Sequence, residues 1–145
     1  NWSYDYARRQ WSLARNPFLR YSQLGDFDRA MIKLMKRYKV LEDGYAYNLL
    51  MDQDNQTMVF EHRDLIFVFN WSGTASIPDY VIPVRAPGRY RIVLSTDEER
   101  FGGFGREDLA SYHFSSPEKC DDGSVRHTIS IYNTSRTARV FKRYK

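Results

Sequence analysis

The stretch 57-TMVFEHRDLIFVFNW-71 sets two runs of β-branched and aromatic residues, 57–62 and 65–70, on either side of the polar pair Arg63-Asp64. Two such runs joined by two polar residues spell a β-hairpin that turns at that pair. Moving outward, the same period of two, punctuated by turn residues, predicts further strands at 45–51, 79–84, 89–95, 111–115, 125–132 and 137–143. "APGRY" (86–90) and "DDGS" (121–124) read as turns between them. The sets Tyr90, Ile92, Leu94 and Val125, Ile129, Ile131 are expected to share inward faces. Seven or eight short strands at this spacing argue an antiparallel β-sandwich.

Before Gly44 the period lengthens. Leu24, Phe27, Met31, Leu34, Met35, Tyr38 and Leu41 recur at helical spacing. Gly25 reads as a break, Asp26 as an N-cap and Pro17 as the first position of an earlier helix. Helices are therefore expected at 17–24 and 26–39. The fold class is mainly β: a helical portion over 1–44, then an all-β portion over 45–145.

Composition narrows the functions. The chain has 145 residues, a net charge of +4 and 16% aromatic residues, which suit sheets and also stack on sugars and bases. Its basic residues gather at Arg8-Arg9, at Lys33, Lys36, Arg37, Lys39, and at Arg136, Arg139, Lys142, Arg143, Lys145. Such groups read first as solvated faces or a fraying tail, and so mild a charge disfavours nucleic acid as a partner. Cys120 is alone, so no internal disulfide forms. The longest apolar run, 65–69, is too short to span a bilayer, so no membrane partner is expected. A cytoplasmic location follows as the expectation. The sequons at Asn1, Asn55, Asn70 and Asn133 read as coincidence. Asn1 is not an initiator methionine, so the chain is expected to begin inside a longer protein.

The search for chemistry returns little. His62, His113 and His127 are scattered and lack metal-ligand spacing, so neither a metal nor a cofactor is expected. "DQDNQT" (52–57) imitates a calcium loop but has Thr57 where glycine is needed and Arg63 where glutamate is needed. Asp97, Glu98 and Glu99 read as a solvated turn. "RFGGFGR" (100–106) lacks the Gly-Lys-Ser/Thr of a phosphate loop, so Gly102 and Gly103 are expected to serve backbone geometry. No residue of this chain is assigned a catalytic role.

One resemblance covers nearly the whole chain. "NWSYDYARRQW" (1–11) followed by "FLRYSQLGDFDRAMIKL" (18–34) resembles the end of the catalytic barrel in the 1,4-α-glucan branching enzymes of the α-amylase superfamily. The run Ser3 to Gln10 and the triplet Phe27, Asp28, Arg29 carry the likeness. "LIFVFNW" (65–71) with "DYVIPVRAPGRYRIVLSTDEERFGGFGR" (79–106) is similar to the family's C-terminal β-domain. The resemblance implies that 1–44 hold the last helices of a (β/α)8 barrel and that 45–145 form the C-terminal sandwich. It implies an enzyme that transfers a glucan segment to a 6-hydroxyl in glycogen, using two carboxylates that lie upstream of Asn1. It implies further that Trp2 and Tyr4 stack on glucan rings with Arg8 or Arg9 bracing their loop; the alternative is that they pack the junction between barrel and sandwich. The sandwich would chiefly support the barrel, with α-glucan as partner. The stripe Phe27, Met31, Leu34, Met35, Tyr38 would be left uncovered without the barrel, which leads to the expectation of a homodimer. Two rivals remain: a stand-alone carbohydrate-binding module and a basic nucleic-acid-binding domain.

Overall fold

A computed structural model describes residues 10–42 and 44–145 of the chain. Two helices, α1 (Trp11–Arg15) and α2 (Tyr21–Arg37), precede nine strands: β1 (Tyr47–Asp52), β2 (Thr57–His62), β3 (Leu65–Asn70), β4 (Ile77–Val84), β5 (Arg89–Ser95), β6 (His113–Phe114), β7 (Ser116–Lys119), β8 (Val125–Asn133) and β9 (Thr137–Tyr144). The strands form two antiparallel sheets, one ordered β1-β2-β3-β9-β5-β6 and the other β4-β8-β7.

The hairpin turns where the sequence places it. His62 pairs with Leu65, and Arg63 takes a left-handed conformation at φ 57°. Residues of β3 then alternate between two separate cores. Ile66 and Val68 face the small sheet together with Val59, Ile82, Ile92, Ile129, Ile131 and Phe141. Leu65 and Phe67 face the other way, where α2 lies across them with Leu34 buried and Phe27, Met35 and Tyr38 packed alongside. The molecule thus has three layers: helix, large sheet, small sheet. A strand covered on both sides needs apolar residues on both faces, which is why 65–69 is an unbroken apolar run.

The inward sets need correction. Tyr90 and Ile92 do face the inter-sheet core, and Tyr90 donates its hydroxyl to the Ala86 carbonyl at 2.6 Å while burial pushes its phenol up to about 12. A bulge between Ile92 and Leu94 then turns Leu94 to the opposite face, where it joins Leu34, Leu65, Phe67 and Val140. One extra residue in a strand inverts every later side chain. Val125 is exposed at the start of β8 rather than inward.

The helices also differ from the expected 17–24 and 26–39. α1 ends before Pro17, and the Asn16 side chain accepts the Phe18 N–H at 2.9 Å, so Asn16-Pro17-Phe18 is a turn and not a helix start. α2 runs straight through Gly25, and Asp26 pairs with Arg29 one turn on instead of capping. An interior glycine costs about 1 kcal/mol, which the burial of Leu34 and its neighbours on the sheet outweighs. The expected strand at 111–115 is reduced to two residues in β6. β7, "SPEK", was not foreseen, since Pro117 breaks any strand pattern; it is tolerated because β7 is an edge strand.

Candidate functional site

Trp2, Tyr4 and Arg8, with Arg9, for which stacking and bracing roles are expected, lie outside the described residues. The surface that follows them in sequence is described. α1 and α2 flank an open groove of about 720 Å3 lined by Leu13, Ala14, Tyr21, Leu24, Gly25 and Asp28. Beside it Phe18 and Leu24 stand 93% and 65% exposed, and Trp11 is also exposed. The groove is largely apolar, and Asp28 is the one carboxylate among the described residues that line it. It can hold a flat apolar partner; it offers no acid-base chemistry.

Of the carboxylates at 97–99, Glu99 is exposed as a solvated turn requires, but Asp97 is not. Asp97 is 3% exposed. It accepts the Arg106 backbone N–H at 2.8 Å and the Arg106 guanidinium at 2.7 Å, with a longer N–H bond from Phe104. Burial pushes its carboxyl up, but these donors outweigh that and hold it below the usual aspartate range. Arg106 reaches on to the Ser135 hydroxyl at 3.2 Å and the Ser135 carbonyl at 3.1 Å. The loop 97–106 is therefore clamped to the turn before β9. The glycines make the clamp possible. Gly102 takes φ +82° at the end of a 3-10 turn, Glu99–Phe101, and a Cβ on Gly103 would land on the Asp97 backbone. The role expected for the two residues, backbone geometry, agrees with this placement.

A second buried polar set lies beside the first. Arg139 is 1% exposed, so it is not part of a fraying basic tail. Its guanidinium donates to the Tyr132 carbonyl at 2.6 Å and to Asn133 Oδ1 at 2.5 Å, and its Nε faces Glu107 Oε1 at 3.3 Å in an ion pair without hydrogen-bond alignment. Burial pulls the guanidinium pKa down, and Glu107 opposes that. Glu107 in turn accepts the Ser95 hydroxyl at 2.5 Å. Asn133 donates to Thr57 Oγ1 at 2.8 Å, and Asn70 donates to the Asn133 carbonyl at 3.1 Å. The asparagines of two sequons are thus spent inside the sandwich. These charges are paired with one another inside the fold.

Two of the remaining candidates resolve as structure. Asp52 accepts from the Asn55 backbone at 3.0 Å, the Asn55 amide at 2.7 Å and the Tyr80 hydroxyl at 2.5 Å, which makes "DQDNQT" a capped β-turn. His113 Nδ1 lies 2.8 Å from the Ser130 carbonyl. Among the described residues no cluster of His, Cys, Asp or Glu is arranged to hold a metal.

One feature escaped sequence reasoning. On the helix-facing side of the large sheet, Phe67 stacks on Phe60 at 4.7 Å, Phe60 on Phe69 at 5.8 Å and Phe69 on Trp71 at 5.4 Å. The stack runs from the buried core out to Trp71, which is 58% exposed. Its signal was present in the spacing of 67, 69 and 71, opposite Phe60. An exposed indole backed by stacked rings offers a rigid flat face to a sugar ring or to another protein surface.

Residues 47–144 match the family model described as alpha amylase, C-terminal all-beta domain. The chain is also similar to 1,4-alpha-glucan-branching enzymes: that of Dictyostelium discoideum, 40% identical over 143 residues, covering 99% of this chain and 21% of the relative. That of Solanum tuberosum is 44% identical over 118 residues, 81% of this chain and 14% of the relative. That of Saccharomyces cerevisiae is 39% identical over 138 residues, 95% of this chain and 19% of the relative. The chain spans only about a fifth of the length of these relatives or less.

Proposed function

This chain belongs to the family of alpha-amylase C-terminal all-beta domains, and on that premise we propose that it is the C-terminal region of a 1,4-α-glucan branching enzyme. One observation carries the proposal. The family model begins at residue 47, whereas the likeness to branching enzymes continues through the helices and covers 99% of this chain in the Dictyostelium protein. A generic all-β domain has no reason to bring that helical segment with it.

In this reading 1–44 close the catalytic barrel and 45–145 are the C-terminal domain. The parent enzyme cuts an α-1,4-glucan, holds the glycosyl piece on a carboxylate and passes it to a 6-hydroxyl, with two carboxylates placed by another part of the polypeptide. Asp97 and Glu107, two buried carboxylates among the described residues, are paired with Arg106 and Arg139, which supports a structural role for this region. The groove between α1 and α2 faces the barrel, and Trp2, Tyr4 and Arg8 stand at the barrel rim, where active-site loops gather. Glycogen is the glucan partner and the cytoplasm its compartment. We expect neither nucleic acid nor membrane as a partner: Asp64 pairs with both Lys142 and Arg143 and offsets part of the charge of the basic tail, and no helix among the described residues is long and apolar enough to cross a membrane.

A chimera tests the proposal. This chain replaces the matching C-terminal segment of the Dictyostelium branching enzyme, and branching is followed by iodine staining of amylose. The chimera is expected to branch. The isolated 145-residue chain is expected to match a blank without protein. A soluble, folded but inactive chimera, or branching by the chain alone, would overturn the assignment.

A further inference from the structure

A cleft of about 420 Å3 opens between α2 and the large sheet, within the range of small-ligand sites. Its charged lining residues are all cations and come from three separate elements: Lys33 and Arg37 one turn apart on α2, Arg91 on β5, and Arg100 in the 3-10 turn. Glu98 balances Arg100 at 2.6 Å. Among the described residues, Lys33, Arg37 and Arg91 have no carboxylate within ion-pair distance. Two of these cations are held by rings. Arg91 lies 5.2 Å from the Tyr112 ring centre and 5.3 Å from that of Tyr144, and donates to the Tyr144 hydroxyl at 3.3 Å. Arg37 lies 5.5 Å from the Tyr38 ring centre. Leu34 and Leu94, both buried, form the apolar floor.

A solvated helix face does not explain this arrangement, because Arg91 reaches the same cleft from the sheet. Converging cations repel one another, and a concave wall of low dielectric focuses their field outward. Lysine and arginine are donors without acceptor capacity, so the complementary ligand is rich in acceptors and negatively charged. Neutral sugar hydroxyls need acceptors as well as donors, and the cleft has few.

We propose that this cleft binds a phosphate monoester carried on a sugar. Lys33, Arg37 and Arg91 take the phosphate oxygens, as charge-assisted donors do. Ala30, Val93 and Leu109, which also line the cleft and are not buried, meet the C–H face of the sugar. The inference does not depend on the branching-enzyme reading. The ester has two sources, a phosphorylated unit within a glucan or a free sugar phosphate.

Calorimetric titration of the 145-residue chain with glucose 6-phosphate, inorganic phosphate and glucose tests it. Glucose 6-phosphate is expected to bind, inorganic phosphate to bind more weakly and glucose not at all. The affinity should fall as pH drops below about 6, where the ester loses its second charge. Lys33→Ala with Arg37→Ala is expected to weaken glucose 6-phosphate at least about tenfold, since each charge-assisted bond removed counts toward that factor. Both side chains are exposed, so the melting temperature should hold and loss of binding is not loss of fold. Selective retention of phosphorylated over dephosphorylated amylopectin identifies the chain-borne ester. Equal retention with glucose 6-phosphate binding intact identifies the free sugar phosphate. Glucose binding as well as its 6-phosphate, a short oligonucleotide binding more tightly than either, no binding of the phosphate, or an unaffected double variant would each overturn the proposal.

Discussion

At the scale of single residues, the sandwich depends on charges it has buried. Asp97 stays ionised because Arg106 and two backbone N–H groups hold it so. Asp97→Asn keeps the shape and removes the charge, which should cost about 2–3 kcal/mol at pH 7, the worth of hydrogen bonds to an ionised group. The pH dependence has a definite sign. A carboxyl whose folded-state pKa is depressed contributes stability that is complete above its unfolded value, here 3.8, and is lost as pH falls through the folded one. Thermal melts of wild type and Asp97→Asn should therefore differ fully at pH 7 and converge below pH 3.8; a gap independent of pH would mean the charge is not what matters. The adjoining glycines fail for different reasons. Gly103→Ala drives a methyl into the Asp97 backbone and should lose about 2 kcal/mol or more, since neither wall can yield cheaply. Gly102→Ala meets only the movable end of Gln23 and pays mainly for its left-handed φ, about 1 kcal/mol. Equal melting temperatures for the two variants would contradict that distinction.

At the scale of elements, the end of α2 is a clear case of local chemistry at odds with the residue present. Val40 N–H reaches back to the Met35 carbonyl at 3.0 Å and Lys39 N–H to the Lys36 carbonyl at 3.2 Å, a Schellman ending that puts Lys39 at φ 54°. Glycine is the preferred residue there. Lys39→Gly should raise stability by up to about 0.5–1 kcal/mol, read as a higher midpoint in urea, with the lost Lys39–Glu42 surface pair subtracting little. A lower midpoint would show that the lysine makes a compensating contact. The helix also shows what sequence reading can and cannot see. The stripe Phe27, Leu34, Met35, Tyr38 was legible from its period, and so was the hairpin at Arg63-Asp64. Gly25 misled because a propensity of about 1 kcal/mol is overridden by burial that sequence alone does not locate. Leu94 misled because a bulge leaves no mark on the period until the face has already changed. The buried polar set was illegible for a further reason: Asp97, Glu107 and Arg139 look like any surface charges until the chain brings residues 95, 107, 133 and 139 together. Of the candidate site, the motif that pointed to Trp2, Tyr4 and Arg8 was legible only as a likeness, and of the cationic cleft only the basic group holding Lys33 and Arg37 was legible, since Arg91 and Arg100 join it from distant parts of the chain.

At the scale of the whole molecule, the question is what remains uncovered when this chain stands alone. The sequence led to the expectation that the α2 stripe would be bare and would drive pairing of two copies. The large sheet covers much of it: Leu34 is buried, and Phe27, Met35 and Tyr38 are packed against Leu65, Phe67, Leu94 and Val140. Met31 is left exposed, and the apolar surface that stays open is displaced toward the N-terminal end of the helix pair, at Trp11, Phe18, Tyr21 and Leu24. Starting the chain at Gly44 would strip the cover from the outer core of the sheet and should itself cause aggregation. Substitution at the open surface isolates the effect. Burying side chains of this kind is worth about 1.5–3 kcal/mol each, enough for a few of them to sustain a symmetric dimer at high protein concentration. Light scattering on the 145-residue chain should show mass rising with concentration toward that of a dimer. Phe18→Ser with Leu24→Glu should return it to a monomer with the melting temperature of the sandwich unchanged, since neither side chain belongs to either core. A wild-type chain that stays monomeric at all concentrations would mean that the open surface is too dispersed to pair with itself, and would leave its coverage to the rest of the polypeptide.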